Sequence, residues 1–443
     1  MRQTLLLFAV LGLGACSFDQ STNPNSPDEI GENPSRAQVE ATANGVLIAL
    51  RADVGDAALD GAILGRDGYR FDGSDPRFTA ELLHGPLDPG GGAFGGDHWA
   101  EEFGAIRTGN NLLRVLPTAQ ALSAEEQSAA SGFVKTMQAL AFLYILQFHT
   151  EDSIPVAVGT DVTAPPAPFV SNADAYAHVV SLLDQGQAEL AAGGSAFPFA
   201  LPGGFTGFNT PATFNLFNRA LRARVAVYQN QFDDALAALA ASFVNGSGDL
   251  QAGVYMSYGT GSGDFANPLA IDPLNGENFA HPSLAANAQL QADGVTPDRR
   301  FVTKVITRPG QSSDGLSSSL GWIRYPAPNT PIPLIKNEEL VLLRAEANIG
   351  KGDLGSALTD INVVRTGSGG LAPLGGLADA TAALNELLYN KRYSLLYEGP
   401  YRWVDLRHYG LLGTLPIDRP AGDPPDQIFS TLPIPNAETL PRQ

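Results

Sequence analysis

Four charged side chains lie close together in the sequence near the C-terminus, on both sides of a Gly-Pro pair. They are Arg392, Glu398, Arg402 and Asp405. Two carboxylates beside two guanidinium groups could exchange protons in acid–base chemistry. The guanidinium fork also binds carboxylates through parallel hydrogen bonds, and such pairs commonly hold structural elements together. Because the group lies where one predicted helix ends and another begins, we interpret it as a structural junction of paired charges.

Aromatic side chains in segments without helical spacing are the residues that could bind a ligand. A flat ring stacks against the C–H face of a sugar, while Asn, Asp and Arg bond to its hydroxyl groups. Of the three Trp residues, only one lies in a predicted loop. The candidate ligand-binding residues are Trp322, Tyr255, Tyr258, Phe265, Tyr69 and Phe71. Exposed aromatic residues also anchor loops to a core, and this alternative stays open at each position.

Other patterns of catalytic or metal-binding chemistry are missing from the sequence. Asp60, Asp67, Asp72 and Asp75 lack the spacing of a calcium loop. The six His residues show no ligand spacing on a helix, and the Gly-rich run 90–96 lacks the Lys-Ser/Thr of a phosphate loop. No order of Ser, His and Asp suggests a nucleophile. We therefore predict a protein that is not an enzyme and that uses no metal or cofactor.

The only cysteine, Cys16, directly follows an apolar segment at the N-terminus. Residues 1–15 combine a basic start, a short apolar core and small residues, which is typical of a secretory signal. The apolar core is too short to span a bilayer. The Leu-Gly-Ala-Cys sequence resembles the lipobox of bacterial lipoproteins, where the cysteine carries the lipid. The prediction is a lipoprotein signal peptide at 1–15 and a lipid anchor on Cys16; a cleaved signal with an incidental cysteine is the alternative.

Composition limits the partners of the mature protein. Residues 16–36 are polar and contain several prolines, which predicts a flexible tether. The formal net charge of −19 disfavours binding to nucleic acid. No later apolar run approaches the about 20 residues of a membrane-spanning helix, so the lipid is the predicted membrane attachment.

Hydrophobic spacing and capping residues predict a mostly α-helical body over residues 37–443. Helical pairs are predicted at about 99–242 and 337–407, with a loop-rich, irregular part at about 243–336 in which 301–307 has strand-like spacing. The Gly- and Asp-rich stretch 60–97 is also predicted to be loop. Ser123 with Glu126 has the pattern of a capping box, Ser171 has that of a helix cap, and Thr210 precedes a proline suited to the first helical position.

One pattern repeats at a constant offset in the chain. Leu-Arg-Ala occurs at 221–223 and again at 343–345. Each copy is followed by a short polar turn, a large apolar residue and an Ala three positions later, namely Phe232 with Ala235 and Leu354 with Ala357. Small residues let antiparallel helices approach closely. The pattern predicts tetratricopeptide-like helix pairs that form one scaffold.

The C-terminal part carries an ordered set of motifs. These are Pro-Leu-Ile-Lys-Asn-Glu-Glu-Leu at 333–340, Leu-Leu-Arg-Ala-Glu-Ala at 342–347, Tyr-Glu-Gly at 397–399, Arg-Trp-Val-Asp-Leu-Arg at 402–407 and Leu-Pro-Ile-Pro-Asn at 432–436. Their order resembles the SusD/RagB family of nutrient-uptake outer-membrane lipoproteins. One departure is the pair Pro400-Tyr401, where that family usually has a single residue between Gly and Arg.

The resemblance implies a SusD-like body with helix pairs on one side and irregular loops on the other. It also implies a lipid-anchored protein exposed on the outer membrane at the cell surface, without catalysis. Such a protein caps a SusC-like TonB-dependent outer-membrane transporter and delivers nutrients to it, here a small glycan or peptide. Two alternatives remain open: a helical glycoside hydrolase that uses loop carboxylates, and a helical-repeat scaffold that organises envelope proteins without transport.

Overall fold

The computed structural model describes residues 30–90, 94–149, 154–161, 163–422 and 425–442. The predicted signal peptide and Cys16 lie outside these ranges. Helices predominate, as predicted. The helices are α1 Arg36–Leu64, α2 Arg77–His84, α3 Ala100–Val115, α4 Ala124–Phe148, α5 Asn172–Ala191, α6 Pro211–Tyr228, α7 Phe232–Ala240, α8 Ser283–Asn287, α9 Arg299–Lys304, α10 Asn337–Gly350, α11 Leu354–Gly367, α12 Ala380–Ser394, α13 Tyr401–His408 and α14 Asn436–Thr439.

The β-structure within these ranges is short and antiparallel. The strands are β1 Gly68–Arg70, β2 Ile154–Pro155, β3 Phe169–Val170, β4 Gly253–Met256, β5 Asn278–Ala280, β6 Val305–Ser313, β7 Leu316–Trp322 and β8 Ile332–Lys336. They form a four-stranded sheet in the order β1-β5-β7-β6 and the pairs β2-β3 and β4-β8. Most strands therefore fall between the two sets of helix pairs, in the part predicted to be irregular.

Polar caps fix the starts of several long helices. The Ser123 side chain accepts a hydrogen bond from the backbone N–H of Glu126, whose carboxylate accepts one from the backbone N–H of Ser123, so the predicted capping box is confirmed. Ser171 caps α5, and Thr210 caps α6 with a proline at its first position. These contacts satisfy amide groups that have no partner within the helix.

The helices form one continuous layer that closes on itself. From α3 through α4, α5, α6, α7, α10, α11, α12 and α13, each helix packs against the next, and α1 contacts both α3 and α13. The predicted pairs α6–α7 and α10–α11 are confirmed. They also pack on each other, because Phe232 of α7 lies against the backbone of Gly350 at the end of α10. Ala235 and Ala357, the small residues of the repeat, are fully buried.

Two sequence predictions of loop and strand are wrong. The stretch 60–97 contains the last turn of α1, then β1 and α2. The polar residues of this stretch are not all exposed to solvent, since Asp60 is buried and forms a hydrogen bond with His98. Residues 301–307 begin in α9 and enter β6 only at Val305. The side chain of Asp298 accepts a hydrogen bond from the N–H of Arg300 and so starts a helical turn there.

Two segments differ from expectation in their surroundings. At the end of the predicted tether, Ile30 is buried and its carbonyl accepts a hydrogen bond from Arg114, so this part packs on the body. Within the described ranges, α4 is long and apolar enough to cross a membrane by length and composition, contrary to the expectation that no such run exists. Most of α4 is buried by other helices, as in the core helix of a globular protein.

We expect Gly350→Ala to destabilise the fold because a Cβ atom there would lie 2.2 Å from the Phe232 ring. The ring would have to move, and overpacking of this kind costs about 1–3 kcal/mol in the free energy of unfolding. Gly355→Ala is the matched control, since its nearest neighbouring atom would be 3.6 Å away. Denaturant unfolding of the two variants tests this, and equal stabilities would contradict the packing described for α7 and α10.

Candidate functional site

A cavity of about 670 Å³ lies between the segment that precedes α6, the strand β4 and the loop before β8. We call it the aromatic cavity. Its lining residues are Gly203, Gly204, Thr206, Gly207, Phe208, Gln251, Ala252, Gly253, Tyr255, Ser257, Tyr258, Asn329 and Pro331. The cavity therefore lies where the helix pairs meet the part predicted to be loop-rich.

Three aromatic rings and several neutral polar groups face this cavity. Tyr255 is half-buried, whereas Tyr258 and Phe208 keep 8% and 9% of their surface exposed. The Tyr255 hydroxyl donates to the carbonyl of Gln251. The Tyr258 hydroxyl is buried without a hydrogen-bond partner among the described residues, and burial raises its pKa. Apolar rings beside uncharged donors and acceptors are suited to a neutral polar ligand.

The backbone at one wall of the cavity can approach β4 only because it contains glycine. A Cβ atom on Gly204 would lie 2.0 Å from the carbonyl oxygen of Tyr255. The Gly204 N–H instead donates to the Ser257 hydroxyl over 2.8 Å. The described lining contains no Asp or Glu side chain. The cavity can thus bind and orient a ligand, and it offers no carboxylate for proton transfer.

The six sequence candidates divide into three groups, of which two residues lie in the aromatic cavity, one is exposed outside it and three lie in the core. Tyr255 and Tyr258 come together in the aromatic cavity. Phe265 is 49% exposed and lies outside that cavity, with the Arg51 guanidinium 5.1 Å from its ring centre. The sequence offered no signal for Phe208 or Asn329, because these residues reach the cavity only through the tertiary packing of distant segments, nor for Gln251, which lies just before β4.

Three other candidates belong to the core, and the loop predicted around Trp322 is wrong. Trp322 ends β7, is 3% exposed and stacks on Tyr397 with ring centres 3.6 Å apart. Tyr69 and Phe71 are also buried, and their rings stack on each other at 5.5 Å. All three rings are buried in or directly beside the four-stranded sheet, so they have no open face for a ligand.

The four charges of the predicted junction do not pair with one another. Arg392 and Arg402 both bind Asp67, at 2.8 and 2.6 Å. Glu398 contacts the three cations Lys304, Arg324 and Lys336. Asp405 lies 2.5 Å from Lys391, which also binds Glu346. All four charges have buried ionic partners, and except for Lys391, the partner of Asp405, those partners come from distant parts of the chain.

The surroundings of Glu398 keep it ionised in the protein interior. Burial opposes its ionisation, but Lys304, Lys336 and Arg324 lower the pKa of this carboxyl well below its ordinary value. The single negative charge of Glu398 is therefore shared among three cations. Asp405 differs, since burial and neighbouring Glu346 together raise its pKa to about 7 against the opposing effect of Lys391.

The four aspartates that lacked calcium-loop spacing each have a histidine or arginine partner. Asp60 contacts His98, Asp67 binds the two arginines above, and Asp72 and Asp75 bind Arg70 and Arg77. His98 is fully buried between Asp53 and Asp60. Burial disfavours its protonation, but these carboxylates raise the pKa of His98 well above the ordinary value. Over the described ranges, no group of three His, Cys, Asp or Glu side chains is arranged to hold a metal ion.

The layer of helix pairs defines a helical-repeat scaffold with tetratricopeptide-like pairs. Comparison with solved structures then shows that the chain has the SusD-like fold, which confirms the resemblance noted in the sequence at the level of fold. No family model matches the sequence. No curated protein matches it significantly either.

Three solved structures illustrate the likeness. A SusD-like carbohydrate binding protein from Bacteroides fragilis is 15% identical, with a TM-score of 0.70 over 92% of this chain and 98% of that one. A SusD superfamily protein from Bacteroides vulgatus is 14% identical, with a TM-score of 0.69 over 93% and 98% of the two chains. A laminarin binding SusD-like protein is 16% identical, with a TM-score of 0.66 over 93% and 98%.

We expect Glu398→Gln to destabilise the protein at neutral pH by about 3–5 kcal/mol, because it removes the charge that partners two buried lysines and the partly buried Arg324. The folded pKa of Glu398 is lowered, so its stabilising contribution is present above the unfolded pKa of about 4.3 and is lost as pH falls below it. Urea unfolding between pH 7 and pH 3 should show the gap to wild type narrowing.

Glu32→Gln is the control for this measurement, since Glu32 forms an exposed pair with Arg114. Exposed pairs of this kind contribute less than about 1 kcal/mol. A gap between wild type and Glu398→Gln that stays constant down to pH 3 would contradict the ion-pair assignment.

Proposed function

We propose that this protein is a non-catalytic lipoprotein of the bacterial outer surface that binds a small glycan and delivers it to a TonB-dependent transporter. The observation that carries the proposal is the aromatic cavity, which lies within a SusD-like fold and combines three rings with uncharged polar groups. Sugars present the matching chemistry, since each ring has an apolar C–H face and a rim of hydroxyl groups.

The lining of the aromatic cavity also indicates how a sugar would bind, through ring stacking and hydrogen bonds. Tyr255 is the most accessible of the three aromatic residues and would stack on a sugar ring. The amides of Gln251 and Asn329 would bond to hydroxyl groups at the rim. A volume of about 670 Å³ suits a short oligosaccharide rather than a long polymer. A peptide is the alternative ligand, and a glycan and peptide array distinguishes the two.

The solved relatives support the ligand class by analogy. They include proteins described as carbohydrate binding and laminarin binding, and a surface glycan-binding protein from Bacteroides uniformis. Because these proteins and the SusD superfamily protein from Bacteroides vulgatus are only 14–16% identical to this chain, the likeness supports a shared fold, and the ligand has to be found by experiment.

A glycoside hydrolase would need two carboxyl groups on either side of the bound sugar. The described lining of the aromatic cavity contains none, which favours binding without cleavage. Incubation with a panel of glycans tests this alternative, because a hydrolase would release shorter products. A non-transport scaffold is distinguished by co-purification, since only a delivery protein should isolate with a TonB-dependent transporter.

We expect Tyr255→Ala to weaken binding of the array-selected glycan by about tenfold, because it removes the accessible stacking surface. Phe208→Ala should also weaken binding. Phe265→Ala is the matched control, since Phe265 is exposed and lies outside the aromatic cavity. Isothermal titration gives the affinities, and an unchanged affinity in Tyr255→Ala with a loss in Phe265→Ala would move the site to the Phe265 loop.

We expect Cys16→Ala to abolish lipidation, because the lipobox-like sequence places the thiol of Cys16 at the proposed site of acylation. Metabolic labelling with palmitate and fractionation of membranes measure the effect. The variant should lack label and leave the membrane fraction or retain its signal peptide. Labelling at the wild-type level would disprove the anchor.

A further inference from the structure

A second cavity, of about 580 Å³, adjoins the aromatic cavity. Gln251 lines both cavities. We call the second one the charged cavity, because five cationic side chains line it: Arg299, Arg300, Lys304, Arg324 and Lys336. Such a concentration of positive charge is unexpected in a chain of net charge −19. Its position beside the aromatic cavity suggests that one ligand could reach both.

The acidic residues of the charged cavity do not balance its cations. Asp249, Glu338 and Glu398 are the acidic side chains in its described lining. Asp298 lies behind the wall and neutralises Arg300 through a contact of 2.5 Å. Five cations thus face four carboxylates, and the cavity keeps an excess of one positive charge when Lys304 is protonated, which favours an anionic group there.

Arg324 is the cation best placed to bind such a group. Its Nε donates to Glu398 over 3.1 Å, and its guanidinium lies 4.9 Å from the ring centre of Tyr325. These contacts hold the side chain in place. Across the part of the chain that the structure describes, no hydrogen bond engages its two terminal nitrogens. A guanidinium held at Nε with free terminal N–H groups can bind a carboxylate or sulfate.

The buried lysines add to the positive potential behind Arg324. Lys336 is 1% exposed and binds both Glu338 and Glu398. Lys304 donates to the carbonyls of Tyr393 and Ser394. Burial lowers the pKa of Lys304 to about 7 even though Glu398 lies beside it. A second anion nearby would favour the charged form of Lys304. The protonated lysine would in turn attract that anion, which strengthens its binding in the charged cavity.

We propose that the charged cavity is the subsite for an anionic substituent, a carboxylate or a sulfate, on a glycan whose neutral sugar rings occupy the aromatic cavity. The inference rests on the proposed function and narrows it to acidic glycans. The adjacency of the cavities supports a single ligand, since Gly253 at the start of β4 pairs with Lys336 and Tyr255 with Pro333. A glycan that extends from the aromatic cavity past Gln251 would place its acidic group next to Arg324.

The test uses the full mature protein and matched pairs of oligosaccharides, each pair consisting of a neutral oligomer and its uronic acid or sulfated counterpart. Isothermal titration at fixed ionic strength should show that the wild-type protein binds the acidic member at least about tenfold more tightly than the neutral member. Arg324→Gln should remove this preference and leave affinity for the neutral member unchanged. Comparison of uronic acid with sulfate shows which of the two anions the cavity accepts.

Two further variants keep the result independent of folding. Thr303→Glu introduces a negative charge at an exposed residue of the cavity wall and should also abolish the preference for acidic ligands. Arg70→Gln is the matched control, because Arg70 is likewise paired with acidic residues and lies 4.8 Å from the ring centre of Phe78. It lines neither cavity and should keep the wild-type preference.

The outcomes separate this inference from the proposed function. Equal affinity of wild type for neutral and acidic members would overturn the anionic subsite and leave glycan binding intact. A preference that survives in both Arg324→Gln and Thr303→Glu would place the anion elsewhere and would also overturn it. Binding of neither member of any pair, with peptides bound instead, would overturn glycan binding itself.

Discussion

The contact of Asp67 with two arginines near the C-terminus is the constraint on which the rest of the structure depends. Asp67 follows α1, is 4% exposed, and accepts from Arg392 and Arg402, which are 325 and 335 residues away in the chain. Removing one partner of a buried ion pair leaves an uncompensated charge, which is strongly unfavourable. These contacts therefore hold the segment that follows α1 against α12 and α13, which closes the layer of helices on itself.

The sheet and the second buried charge centre follow from this closure. The Tyr397 hydroxyl donates to the carbonyl of Asp67, and its ring stacks on Trp322 at the end of β7. The next residue, Glu398, binds Lys336 at the end of β8. Because β8 pairs with β4, this junction also positions Tyr255 and its wall of the aromatic cavity. Buried charges at the core thus determine the geometry of a surface cavity.

Local features of the fold could be predicted from the sequence, whereas most of the candidate site could not. The capping box at Ser123 and the repeated helix pairs depend on residues that are close together in the chain, so both could be predicted from the sequence. Trp322 was misplaced because Gly and Ser neighbours are as compatible with a strand as with a loop. Tyr255 and Tyr258 reached the aromatic cavity, but Phe208 comes from a different segment and carried no signal.

The sequence by itself determined the helical class, the pairing of α6 with α7 and α10 with α11, and the resemblance to SusD-like proteins. It also marked Glu398 and Asp405 as structural charges. Only the tertiary structure decided which cations these carboxylates bind and which aromatic rings remain accessible. The physical reason is range: caps and helix periodicity act within a turn or two, whereas the partner of a buried charge is chosen by the packing of the whole chain.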